Sequence, residues 1–153
     1  MKNRYRITYG LVVTGLFLSL WGCGKTDSIT APSGSTITVN PSSVSITGPI
    51  SGDVIQNFRV SIKDKNGNPL NNAQLFIFGM AAAPRTPTRY QFYREVNANT
   101  AVDSGYTAST NSFGVYEFSI KIPASVNGSS NSVTDQIEIS SGDAFVSVTV
   151  TLS

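Results

Sequence analysis

Histidine is absent from this chain of 153 residues, and cysteine occurs once, as Cys23. The side chain that most often serves as general base or metal ligand near neutral pH is therefore missing. A lone thiol excludes an internal disulfide, so whatever folds here is held by packing. Charged residues make up only 13% of the chain, with no basic stripe to meet nucleic acid and no acidic block to meet a basic partner. No G-x-S-x-G, H-E-x-x-H or glycine-rich phosphate loop occurs. Glycosidase chemistry needs only two carboxylates, but at a fixed separation in a cleft. The nine acids here are scattered, mostly beside turns or on outward strand positions. The expectation is a protein that is not an enzyme, with no catalytic residue, no metal and no cofactor.

What is present begins at the N-terminus, where Lys2, Arg4 and Arg6 precede an apolar run from Gly10 to Leu20. About eleven apolar residues span roughly 16 Å as a helix, against roughly 30 Å of hydrocarbon, which fits a cleaved export signal better than a permanent span. Without those three cations, eight of the 11 basic residues remain against nine acids, so the rest of the chain is near neutral. The signal ends in Leu20-Trp21-Gly22-Cys23, which resembles the lipobox of bacterial lipoproteins, with Trp21 larger than usual at its position. The resemblance implies cleavage before Cys23, acylation of its thiol and amine, and an essentially permanent lipid anchor. Gly24 in place of aspartate implies sorting to the outer membrane. An ordinary secretory signal with an incidental cysteine is the alternative.

Residues Gly24 to Ser35 lack an apolar period and are rich in turn formers, which reads as a flexible tether. From Thr36 to Ser153 period-two alternation dominates. Ile37 and Val39 begin it, Pro41 interrupts it, and Val44 and Ile46 resume it, as in an edge strand that changes sheet partner. Phe58, Val60 and Ile62 alternate with Arg59, Ser61 and Lys63. Tyr116, Phe118, Ile120 and Ile122 repeat the pattern, as do Ile137 with Ile139 and then Val146, Val148, Val150 and Leu152. Asp64 to Ala73 carries Asn66-Gly67, the pair expected in a tight hairpin turn. The expected fold is an all-β, two-sheet antiparallel sandwich of about seven to eight strands in one domain over 36–153.

Three segments also resemble a known family: V-S-I-K-D-K-N-G-N-P-L-N-N-A-Q-L-F-I-F from Val60, S-T-N-S-F-G-V-Y-E-F-S-I from Ser109, and V-S-V-T-V from Val146. They are similar to bacterial Ig-like domains of the invasin and intimin type, which implies an Ig-like sandwich and says almost nothing of function. A transthyretin-like or carboxypeptidase-regulatory-like sandwich uses similar turns. The stretch Gly79 to Gly105 is longer than the matching connection in most such domains.

Asp64, Asn66 and Asn68 alternate as calcium ligands do, but Pro69 and Leu75 stand where an EF-hand loop needs glycine and glutamate, so a turn is the better reading. Asn127-Gly128-Ser129 matches a glycosylation pattern and reads as a loop. The long insertion interleaves Arg85, Arg89 and Arg94 with Tyr90, Phe92 and Tyr93, side-chain types that dominate binding hot spots. Leu75 and Ile77 face one side of their strand and Phe76 and Phe78 the other, so the same insertion is expected to fold back and cover Phe76 and Phe78. The functional expectation is an outer-membrane-anchored module that contacts another envelope protein or surface component. The alternative is a carbohydrate-binding module that stacks a glycan on Tyr90, Phe92, Tyr93 and Tyr106.

Overall fold

The computed structural model describes residues 28–47, 51–80, 90–102, 105–124 and 133–153. The expected signal, Cys23, the first four residues of the tether, Arg85 and Arg89, and Asn127-Gly128-Ser129 lie outside the described residues. Nine strands follow one another: β1 (Thr36–Asn40), β2 (Ser43–Ile46), β3 (Val54–Lys63), β4 (Gln74–Met80), β5 (Gln91–Tyr93), β6 (Gly105–Ser109), β7 (Val115–Ile122), β8 (Val133–Ser141) and β9 (Ala144–Leu152). They form a four-stranded sheet in the order β1-β3-β7-β5 and a five-stranded sheet in the order β2-β9-β8-β4-β6. The molecule is an all-β, two-sheet sandwich.

The alternation read from the sequence decides which side chains meet between the sheets. Phe58, Val60 and Ile62 of β3, with Phe118, Ile120 and Ile122 of β7, face Leu75 and Ile77 of β4, Ile137 and Ile139 of β8, and Val148 and Val150 of β9. Phe58 pairs with Phe118 in register, and their rings stack with centroids 5.1 Å apart. Pro41 interrupts the first strand, and the chain there changes sheet: β1 pairs with β3, β2 with β9.

Four expectations need correction. There are nine strands among the described residues, because Pro41 divides the first, the insertion contributes β5, and β6 follows it; the alternation marks neither β5 nor β6. One pairing, β2 with β9, is parallel, since the chain after Pro41 runs alongside the last strand in its own direction. The Asn66-Gly67 tight turn forms, with Gly67 at φ 86 and Lys63 bridging Pro69 antiparallel, but it does not go on to pair β3 with β4, which belong to different sheets. Instead Asp64 caps the bend: its Oδ1 accepts from the amides of Asn66 and Asn68, both at 2.8 Å, and Oδ2 accepts from Asn68 Nδ2 at 3.1 Å. Finally, the packed chain begins ahead of residue 36. Ile29 bridges Ala73, its N–H donates to the Asn72 carbonyl, and Ala31 is buried with its N–H on Ser141 Oγ at 3.2 Å. An isolated isoleucine and alanine in a polar stretch carry no periodic signal: Ile29 stays 45% exposed and is held by its backbone bonds, while Ala31 buries its side chain.

Two cross-sheet corners lock together at one end. The corner between β6 and β7 contains Thr110, Asn111 and Gly114. The buried Thr110 hydroxyl donates to the Leu70 carbonyl at 2.6 Å and accepts from the Ala73 amide at 2.9 Å, both in the β3–β4 corner. Asn111 Oδ1 accepts from the amides of Phe113 and Val115. Gly114 has φ +68, and a Cβ there would lie 2.7 Å from the Ile62 carbonyl oxygen and 2.9 Å from the Leu70 nitrogen, so no other residue fits.

Candidate functional site

The insertion after β4 leaves its own sheet. At Tyr90 the chain is against the other sheet, where Gln91–Tyr93 adds β5 to the edge of β7. Alternation then sends Tyr90 and Phe92 inward and Gln91 and Tyr93 outward. Phe92 is almost completely buried and meets Tyr90, Tyr106 and Phe118 edge-on or tilted, with centroids 5.4, 6.0 and 6.2 Å away. Tyr90 donates its hydroxyl to the Gln136 carbonyl at 3.2 Å. Burial above all, with the Asp135 carboxylate second, pushes its phenol well above the ordinary value. The Tyr106 phenol is raised further, first by burial and then by the neighbouring Tyr116 hydroxyl. These three aromatics are core, with no face open to stack on a glycan.

Of the six residues named as a recognition loop, Tyr93 and Arg94 are therefore the described ones that reach solvent. The Arg94 guanidinium lies 5.3 Å from the centre of the Tyr106 ring, where it caps the edge of the core. Its carbonyl accepts a hydrogen bond from the Tyr116 hydroxyl. Val102 returns to Phe92, its N–H donating to the Phe92 carbonyl at 2.8 Å, so residues 93–101 form a closed loop at the sheet edge.

That loop folds over the outer face of the four-stranded sheet and covers Ser119, whose Oγ donates to the Glu95 carbonyl at 3.4 Å. Between the loop and the start of β3 lies a cleft of about 300 Å³. Tyr93, Asn97 and Asn99 form one wall, Asp53, Ile55 and Lys121 the other, and Ser119 the floor. Lys121 Nζ stands 2.6 Å from Asp53 Oδ2, while Asp53 Oδ1 accepts from the Ala124 amide at 3.0 Å. The Lys121 hydrogen bond, then the Ala124 amide, hold the Asp53 carboxyl below its usual range. Asp53 in turn holds the Lys121 ammonium above its own. Asn97 adopts a left-handed backbone, φ 68, which asparagine tolerates better than most residues. Sequence reasoning found Tyr93 but missed Asp53, Asn97, Asn99 and Lys121, each unremarkable until the loop brings them together.

The other notable surface is the outer face of the five-stranded sheet. Phe76 and Phe78, expected to lie under the insertion, are 51% and 48% exposed. The described part of the insertion packs elsewhere, because Tyr90 and Phe92 bury more apolar area between the sheets than they could over two isolated rings. Phe145 is 57% exposed on the same face. In register, Phe76 aligns with Ser140 and Ser140 with Phe145, which sets those two rings roughly 10 Å apart on one row. Phe78 lies over Gly105, where a Cβ would come within 2.9 Å of its ring.

Among the described residues no group of three or more His, Cys, Asp and Glu could hold a metal ion. Among them, too, no helix is long and apolar enough to cross a membrane, which says nothing of β-barrels.

No family model matches this chain. No curated protein matches it either. Among solved structures it is similar to a family 123 glycoside hydrolase from Clostridium perfringens, with a TM-score of 0.43 and 5% sequence identity. The similarity covers 78% of this chain and 27% of that protein. A likeness that remote carries no argument about activity.

Proposed function

We propose that the chain is a lipid-anchored, non-catalytic interaction module of the cell envelope, built as an Ig-like sandwich. The observation that carries this reading is the row of exposed aromatic rings on the five-stranded sheet. Phe76, Phe78 and Phe145 stand half-exposed on a face whose other outward residues include Thr107, Ser140, Ser147 and the carboxylate of Glu138, which lies in register between Phe78 and Ser147. Exposed aromatics beside one carboxylate suit a mostly apolar protein surface with a donor or cation to meet Glu138. The Ig-like reading is supported by the first strand switching sheets at Pro41 and by the two interlocked cross-sheet corners.

The anchor rests on the basic start, the short apolar run and Cys23. From Cys23 to Ile29 an extended chain reaches at most roughly 20 Å, so the sandwich is held close to the bilayer, with outer-membrane placement following from Gly24. Cys23→Ala is expected to abolish labelling by a clickable palmitate and to leave uncleaved precursor. Persistent labelling would rule the anchor out. For the interaction surface, a photo-crosslinking residue at Phe145 is expected to trap a discrete envelope partner in living cells, whereas one at Thr38, exposed on the outer face of the four-stranded sheet, traps none. Equal crosslinking from both positions would sink the assignment of this face.

A further inference from the structure

We infer that the cleft between the 93–101 loop and the start of β3 is a second binding site, and that it takes a neutral saccharide. The site lies on the opposite sheet from the exposed phenylalanines and is independent of the anchor.

Charge narrows the ligand first. The cleft holds one carboxylate and one ammonium, and these neutralise one another at 2.6 Å. The pair carries no net charge, so an anionic or a cationic ligand meets the repulsion of one partner together with the attraction of the other. A neutral ligand with hydroxyl groups meets no such opposition. It can donate to the remaining lone pairs of Asp53 and accept from the remaining protons of Lys121, as charge-assisted hydrogen bonds.

The remaining lining fits a polyol ring. Asn97 and Asn99 present side-chain amides that have no hydrogen-bond partner among the described residues, and an amide offers both donors and an acceptor to paired hydroxyls. Tyr93 contributes an aromatic ring, steadied by the hydrogen bond from its hydroxyl to Gln91 Oε1 at 3.2 Å. Ile55, 62% exposed on the facing wall, adds a second apolar contact. A pyranose has both kinds of surface, apolar C–H faces and a rim of hydroxyls. The volume, about 300 Å³, lies at the small end of the range for small-molecule pockets. It suits a terminal sugar ring with its neighbour at the cleft mouth.

The test uses the full-length protein in detergent, titrated calorimetrically with chitotetraose, cellotetraose, xylotetraose, maltotetraose and mannotriose. At least one is expected to bind with a Kd of about 1 mM or tighter. Tyr93→Ala should weaken that binding by about tenfold or more, with Tyr93→Phe within about threefold of the parent because the ring face is retained. Asn99→Ala, on an exposed loop where folding is not at stake, should weaken it about fivefold. Phe113→Ser, 76% exposed at the β6–β7 corner, should leave it unchanged. Failure of all five sugars to bind at about 10 mM would overturn the inference. So would binding that is indifferent to both Tyr93→Ala and Asn99→Ala, or tighter binding of trigalacturonate than of every neutral sugar. None of these outcomes bears on crosslinking from Phe145, so the two proposals fail separately.

Discussion

At the scale of single residues, the sharpest constraints sit at the cross-sheet corners. Gly114 combines a left-handed φ with backbone atoms less than 3 Å from any added Cβ. Gly114→Ala should therefore cost about 3 kcal/mol or more, read as a lowered midpoint in urea with an unchanged slope. Tyr106 presents the reverse case. Its hydroxyl is buried without a hydrogen-bond partner among the described residues, while the adjacent Tyr116 hydroxyl donates to the Arg94 carbonyl instead. Removing an unsatisfied buried hydroxyl relieves a desolvation cost, so Tyr106→Phe is expected to leave stability unchanged or raise it by about 1 kcal/mol. A drop of similar size in the same urea titration would contradict that picture.

At the scale of elements, β5 is a three-residue strand that pairs with β7 on one edge and makes a single bridge, to Val102, on the other. Its backbone bonds are too few to hold it, and the anchor is the Phe92 side chain wedged among Tyr90, Tyr106 and Phe118. Phe92→Ala should cost about 3–5 kcal/mol. The loss should be local before it is global: amide exchange at Val102, whose N–H bonds the Phe92 carbonyl, should accelerate far more than exchange along β8 and β9. Uniform acceleration would mean that β5 is no separate unit. Because the 93–101 loop forms one wall of the cleft, the same variant should also abolish saccharide binding.

At the scale of the whole molecule, the absence of histidine leaves a wide pH range with little to titrate. Asp53 and Asp64 have folded pKa values below the usual carboxylate value, each held there first by a side-chain hydrogen bond, from Lys121 and Asn68 respectively. Each contributes stability that is present above the unfolded carboxylate pKa and is lost as pH falls through the folded one. Lys121 is raised by Asp53, and the phenols of Tyr90, Tyr106 and Tyr116 are raised chiefly by burial. In the folded state these groups keep their protons to higher pH than in the unfolded chain, so stability falls as pH rises past their unfolded values. The melting temperature followed by circular dichroism should be flat from about pH 5 to 9 and fall below about pH 4 and above about pH 10. A step near pH 6 to 7 would contradict this account.

The sequence by itself determined the local facts: that seven of the nine strands among the described residues form, all but β5 and β6, which face of each of the seven is buried, and that Pro41 ends one pairing. These follow from period-two alternation and from the missing N–H of proline, and neither depends on what lies across the sheet. Tyr93 could be named as a candidate because an aromatic in a long insertion is visible in one dimension. Tertiary structure alone decided that the insertion crosses to the opposite sheet, that Tyr90 and Phe92 serve the core, and that Phe76 and Phe78 remain exposed. The reason is competition for burial: several apolar side chains in the segment could each cover some face, and only the closed sandwich determines which removes more area from water. The cleft was beyond reach for the same reason, since Asp53, Asn97, Asn99 and Lys121 become neighbours only through strand pairings far apart in the chain.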